Sequence, residues 1–191
     1  GATLVGTTTI SNNTVTFTDN FTSGTLEHIR TQGTVASGST LNINNNTILN
    51  STVGGASSST TMVCIVNSSA AGTLNINNNI IRGLTSTATS GGFTGISNTG
   101  AVVTTLNINN NEIGNASGGA ITFSVATSGT VTGISSSGGA STCSTTIQGN
   151  DIRGIVHAVA GSSTHNYITS TGSPLNNTIA NNTFTNLNVN T

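Results

Sequence analysis

Apolar and polar residues alternate along this chain in short bursts, and the bursts recur at a nearly fixed distance. The stretch Thr-Leu-Asn-Ile-Asn-Asn-Asn begins at Thr40, Thr73 and Thr105, which places its second aliphatic at Ile43, Ile76 and Ile108. Three looser copies follow the same pattern around Ile10, Ile147 and Ile179. Successive anchors are separated by 33, 33, 32, 39 and 32 residues. Alternation over a handful of residues marks a strand with one buried face, and a period of a few tens of residues marks a solenoid.

Aligned on these anchors, the copies fall into columns. Three residues after the anchor stands Asn in all six copies: Asn13, Asn46, Asn79, Asn111, Asn150 and Asn182. The position before it reads Asn12, Asn45, Asn78, Asn110, Gly149 and Asn181. Asn and Gly enter left-handed backbone angles at the least cost, so this column predicts a sharp bend between two strands. Five residues after the anchor comes a second apolar column, Val15, Ile48, Ile81, Ile113, Ile152 and Phe184. A third strand precedes the anchor, in segments ending at Ile29, Ile65, Ile96, Ile134 and Ile168. Asn, Thr, Ser and Gly dominate these segments and no helical period runs through them.

The pattern predicts an all-β, right-handed parallel β-helix with three short strands per turn. It spans residues 1–191 as a single repeat array of about six turns, five full and one partial. In such a coil equivalent residues stack ~4.8 Å apart. A buried Asn above another can donate its amide to the carbonyl below, so the column from Asn13 to Asn182 is expected to form a structural ladder.

Composition narrows the function. There are three Lys and Arg together, four Asp and Glu, and a net charge of -1. That excludes the basic footprint required by nucleic acid or an anionic membrane surface. No apolar run approaches the ~20 residues of a membrane-spanning helix. The chain has no Trp, one Tyr and five Phe, so the core is expected to be thin layers of Ile, Val, Leu and Ala. Cys64 and Cys143 occupy unrelated columns and are expected to be free, partly buried thiols.

The sequence grammar, an x-x-Gly-Ile strand followed by Thr-Leu-Asn-Ile-Asn-Asn-Asn, resembles the parallel β-helix repeats of the pectate-lyase-like superfamily. Its low-charge, Asn/Thr-rich composition is similar to that of large secreted cell-surface proteins of Bacteroidetes-type bacteria. The resemblance covers nearly the whole chain and implies architecture rather than activity, because that superfamily includes lyases, hydrolases, adhesins and passive stalks. It also implies an extracellular or cell-surface, secreted protein.

Two groups of residues could carry chemistry. Strand alternation turns Thr40 and Asn42 outward, with Thr73, Asn75, Thr105 and Asn107 beneath them and Thr7, Thr9, Ser144, Thr146, Asn176 and Thr178 completing the columns. Such a flat, uncharged grid could meet a glycan or the ordered surface of ice. The second group is acidic. Glu112 and Asp151 share one column in neighbouring turns, and Arg82 and Arg153 share the column two residues further on. The resemblance implies that paired carboxylates could bind Ca²⁺ or act as acid and base on a polysaccharide, and carboxylates that close would separate their pKa values. The bland alternative is a balanced cluster of surface ion pairs.

A looser charged island comprises Asp19, Glu27, His28 and Arg30. The three histidines, His28, His157 and His165, do not converge by spacing, so no metal site is expected. No nucleotide loop, nucleophile elbow or zinc signature occurs. The long interval from Ile108 to Ile147 contains Gly-Gly-Ala-Ile-Thr-Phe-Ser-Val, read as an insertion with an extra apolar stretch at Ile121, Phe123 and Val125. Insertions in solenoids often carry binding function.

Neither end carries an obvious cap, so the array is read as a fragment of a longer protein or a unit that stacks with copies of itself. The leading expectation is a non-enzymatic structural or adhesive module, needing no cofactor and contacting glycans. A polysaccharide lyase or glycoside hydrolase using Glu112 and Asp151 is the alternative, and an ice-binding Thr/Asn array the second.

Overall fold

The computed structural model describes residues 6–33, 36, 38–115 and 117–188. Among them are twenty strands and no helix. The first turn holds β1 (Thr7–Ser11), β2 (Thr14–Val15) and β3 (Thr25–Thr31). The second holds β4 (Thr40–Asn44), β5 (Thr47–Leu49), β6 (Thr52–Ser58) and β7 (Thr61–Asn67). The third repeats this with β8 (Ala71–Asn77), β9 (Ile80–Arg82), β10 (Leu84–Ala88) and β11 (Phe93–Asn98). The fourth comprises β12 (Val102–Asn109), β13 (Glu112–Ile113), β14 (Ile121–Phe123) and β15 (Val131–Ser136). The fifth comprises β16 (Ser144–Gln148), β17 (Asp151–His157) and β18 (His165–Ser170), after which β19 (Asn176–Ala180) and β20 (Thr183–Asn188) begin another.

Each strand pairs in parallel with its counterpart one turn away, so the strands collect into three stacked sheets. The first contains β1, β4, β8, β12, β16 and β19, and the third contains β3, β7, β11, β15 and β18. The second takes the strands that follow the bend, with β6, β10 and β14 continuing it alongside β17. The chain is therefore a parallel β-solenoid of about five turns, against the five full turns and one partial turn expected from the repeat. Register follows the columns: Ile10 pairs with Ile43, Ile43 with Ile76, Ile76 with Ile108, Ile108 with Ile147 and Ile147 with Ile179.

The core is a stack of single residues. Ile43, Ile76, Ile108 and Ile147 are fully buried, as are Ile48, Ile81, Ile113 and Ile152 across from them. Each such side chain contributes about 2 kcal/mol relative to exposure. Column mates at the last turn, Ile179 and Phe184, are 49% and 45% exposed. Gly95 and Gly133 leave room for this packing, since a Cβ on either would press on Ile113 or Ile152.

The bend column adopts the geometry its residues favour. Asn12, Asn45, Asn78, Asn110 and Asn181 have φ between 55° and 59°, and Gly149 has φ 65°. Gly149, the fifth member of the column, leaves room for the side-chain oxygen of Asn110, which a Cβ there would meet.

The long interval differs from the expectation. Ile121 and Phe123 are not extra: they pair with Leu84 and Ser86 on one side and with Ile155 and His157 on the other, within the ordinary core. Leu84 follows Ile81 by three residues, whereas its partner Ile121 follows Ile113 by eight. The inserted loop thus lies between β13 and β14, where its Gly and Asn residues gave no apolar signal. Cys64 and Cys143 are free, as expected, but completely buried rather than partly so. The expectation of uncapped ends also concerns residues 1–5 and 189–191, which lie outside the described residues.

Candidate functional site

Among the described residues no pocket opens on the surface. Chemistry must therefore be sought on the sheet faces, at the inserted loop, or in the polar groups of the interior.

The first sheet presents an uncharged polar surface. Its inward positions are aliphatic, so alternation sends Thr40, Asn42, Thr73, Asn75, Thr105 and Asn107 outward, each half-buried by its neighbours. The outer amides are ordered by one another. Asn107 Nδ2 donates to Asn75 Oδ1 at 2.8 Å, and Asn75 Nδ2 to Asn42 Oδ1 at 2.8 Å. Asn42 in turn reaches Thr9 Oγ1 at 3.4 Å. A second outward column accepts from backbone: Asn44 Oδ1 from Asn77 N–H at 2.9 Å and Asn77 Oδ1 from Asn109 N–H at 2.9 Å. The face thus presents amides fixed by one another, beside threonine hydroxyls, with no charge.

Behind it runs the buried Asn ladder. Asn46, Asn79, Asn111 and Asn150 are at most 1% exposed. The backbone N–H and Nδ2 of each donate to Oδ1 of the Asn one turn on. Asn79 donates to Asn111 at 2.9 Å through both groups, and Asn111 donates to Asn150 at 3.0 and 2.9 Å. The second Nδ2 hydrogen turns back to the anchor carbonyl of the preceding turn, as from Asn79 to Ile43 O at 2.8 Å. The amide groups of the inner rungs are thereby satisfied, which gives the column a structural role.

The acidic pair stands where its column predicts. Glu112 and Asp151 are direct neighbours in the register of β13 and β17. Each is engaged by an arginine: Asp151 Oδ2 by Arg153 Nη2 at 2.9 Å, and Glu112 Oε1 by Arg82 Nη1 at 3.6 Å. The inserted loop closes over this corner. Asn115 and Gly119 exchange backbone hydrogen bonds at 2.9 and 3.0 Å, and Gly119 lies against the Arg82 side chain. Asn115 Nδ2 donates to Glu112 Oε1 at 3.4 Å. Four of the charged side chains therefore form two ion pairs on one outer edge. Arg82 and Arg153 are 44% and 37% exposed, and pairs exposed to this degree contribute about 0–1 kcal/mol.

The other charged island does not assemble. Glu27 pairs with Arg30 on the surface. Asp19 is buried and accepts from Phe21 N–H at 2.8 Å. His28 turns inward to Ser51 Oγ, 3.0 Å from its Nε2. Burial lowers its pKa below the ordinary histidine value.

Two of the three histidines do converge. His157 Nε2 lies 3.0 Å from His165 Nε2, and His165 Nδ1 is 3.2 Å from the Tyr167 hydroxyl. Burial lowers both histidine pKa values, and for His165 the neighbouring His157 adds to the effect. Phe123 stacks on His157 at 4.7 Å, and Tyr167 meets Phe184 at 6.0 Å. Linear spacing misses this cluster, but the columns contain it. His157 is two residues beyond the inward Ile155, and His165 shares a column with the inward Leu26, Met62, Phe93 and Val131. Among the described residues no group of three or more His, Cys, Asp or Glu side chains could hold a metal ion.

Comparison with protein-family models, with curated proteins and with solved structures returns no match.

Proposed function

We propose that the chain is a non-enzymatic structural and adhesive module of an extracellular or cell-surface protein, whose flat outer face contacts glycans. One observation carries this reading: the interlocked amides of Asn42, Asn75 and Asn107, flanked by the outward Thr40, Thr73 and Thr105, form an uncharged array, and no pocket opens among the described residues. Amides and hydroxyls held at the regular spacing of stacked strands can exchange hydrogen bonds with the repeating hydroxyls of a polysaccharide. A grid whose members already bond to one another loses little conformational entropy on binding. The likeness of the repeat to pectate-lyase-like solenoids, and to Asn/Thr-rich surface proteins of Bacteroidetes-type bacteria, supports the extracellular placement. No cofactor enters this reading.

The test is a binding screen against insoluble and soluble polysaccharides with the wild type and Thr73→Tyr. Tyrosine at this central outward position would lift a ligand from the grid without touching the core. Binding should weaken about tenfold, equivalent to ~1.4 kcal/mol, with unchanged thermal stability. Equal binding by both proteins overturns the reading. The same variant decides the ice-binding alternative, because thermal hysteresis that survives Thr73→Tyr removes the ice face.

The adjacency of Glu112 and Asp151 supports the second reading, a carbohydrate-active enzyme with or without Ca²⁺. That reading requires polysaccharide cleavage that disappears in Glu112→Ala and Asp151→Ala. Absence of cleavage by the wild type removes it.

A further inference from the structure

The interior of the fifth turn departs from the turns before it at two facing positions. His157 closes β17 in a column that holds Ser86 and Phe123, and His165 opens β18 in a column that holds Leu26, Met62, Phe93 and Val131. Imidazole thus enters both columns in the same turn. The rings meet nitrogen to nitrogen: the two Nε2 atoms are 3.0 Å apart, while the ring centres are 5.0 Å apart. Centres so much further apart than the nitrogens belong to rings that point at one another and do not stack. At this distance one Nε2 donates and the other accepts, so a single proton lies between two lone-pair positions.

The surroundings orient this pair and give it no anion. The Tyr167 hydroxyl lies 3.2 Å from His165 Nδ1, so His165 can donate from Nδ1 and turn its Nε2 lone pair toward His157. An outer hydrogen bond of this kind is what fixes the tautomer and the ring of a metal-ligating histidine. Phe123 stacks on the His157 ring with centres 4.7 Å and planes 17° apart, and His157 is 2% exposed. His157 Nδ1 is buried without a hydrogen-bond partner, so nothing holds the proton of that ring to one nitrogen. Among the described residues no carboxylate forms an ion pair with either histidine. No third His, Cys, Asp or Glu among them enlarges the pair to a set of three.

We propose that His157 and His165 form a two-coordinate site for a soft monovalent cation, cuprous copper in particular, held between their Nε2 atoms. Donor number selects the ion. Structural zinc takes four ligands, whereas the closed-shell cuprous ion accepts two in a line, the direction in which these nitrogens already face. Imidazole is a suitable ligand for copper. Charge selects the ion too, because a buried charge with no anion beside it is costly and a divalent ion costs more than a monovalent one. Binding forms two nitrogen–metal bonds from the two Nε2 lone pairs. The proton between the rings moves to the open His157 Nδ1, so no proton is released and no electron is transferred. A metal–imidazole bond is about 2 Å long, so the nitrogens part from 3.0 Å to about 4 Å. The site lies in the interior and is independent of any glycan contact on the first sheet.

Silver(I) nitrate is the redox-inert probe, and copper(I) kept reduced by ascorbate is the ion itself. Calorimetric titration of the folded 191-residue chain should give one site per chain. X-ray absorption of the copper(I) complex should show two nitrogen neighbours and no sulfur. That readout separates the site from Cys64 and Cys143, whose thiols are free and buried. His157→Gln and His165→Gln should each weaken binding at least about a hundredfold, and Tyr167→Phe about tenfold through loss of the outer hydrogen bond. His28→Gln, at the remaining histidine, should leave binding unchanged. Far-ultraviolet circular dichroism verifies the fold of each variant. A folded wild type that takes up neither ion overturns the proposal, as does sulfur in the copper shell or binding that survives in both histidine variants. The absorption spectrum and Tyr167→Phe decide the matter even where a histidine variant fails to fold.

Discussion

Removing one rung from the middle of the buried Asn ladder measures how the coil is held together. Asn79 is fully buried and makes four side-chain hydrogen bonds: Nδ2 to Ile43 O at 2.8 Å and to Asn111 Oδ1 at 2.9 Å, and Oδ1 from Asn46 N–H and Nδ2, both at 3.0 Å. Asn79→Ala deletes all four and leaves the Asn46 backbone N–H without an acceptor between two closed turns. An intramolecular hydrogen bond has a net value of about 1 kcal/mol, and a stranded buried donor costs about 1–3 kcal/mol, so the expected loss is about 3–5 kcal/mol. The matched control is Asn13→Ala. That side chain is exposed and donates to Asn46 Oδ1 and Ser11 O, where water substitutes, so its loss should be below about 1 kcal/mol. Urea unfolding of both variants, followed by circular dichroism, gives the comparison. Amide hydrogen exchange at Asn46 supplies a local readout and should accelerate sharply in Asn79→Ala alone. Equal destabilisation by the two variants, or a loss under about 1 kcal/mol at Asn79, would refute the claim that the ladder is structural.

Three further expectations follow from the geometry. At Asn45, where φ is 57°, Val should cost about 1–2 kcal/mol and Gly should be close to neutral, measured by thermal unfolding. Burial lowers the pKa of His28, His157 and His165 in the folded chain, so the unfolded chain binds protons first as pH falls below 6.5. Their stabilisation is present above that value and is lost as pH falls through the lower folded values. The thermal midpoint should therefore drop from pH 7 to pH 5, and less steeply in His157→Gln. Cys64 and Cys143 are completely buried and burial raises both thiol pKa values, so neither should react with a thiol reagent until the chain unfolds.

Much of the candidate site was legible in columns and little of it in linear spacing. The register of Glu112 with Asp151 follows from counting four residues past each anchor, because parallel stacking converts a sequence period into spatial adjacency. The same counting misplaces the insertion. Ile121 and Phe123 alternate like any strand, and only their pairing with Leu84 and Ser86 shows that they belong to the regular core. The loop that does interrupt the repeat, between β13 and β14, is small and polar and announces nothing. His157 and His165 meet across a turn, because inward positions on adjacent sheets face one shared interior.

By itself the sequence determined the period, the strand–bend–strand unit, the left-handed bend at Asn12, Asn45, Asn78, Asn110, Gly149 and Asn181, and the identity of the stacked Asn column. These are local or strictly periodic properties, set by backbone preference and by which residue recurs one turn later. Only the tertiary structure decided which arginine holds which carboxylate, that His28 turns in to Ser51, and that the ladder has a direction, each rung donating to the Asn one turn on. Those outcomes depend on rotamers and on contacts across the interior, where the closing of the coil, and not the order of residues, sets what touches what.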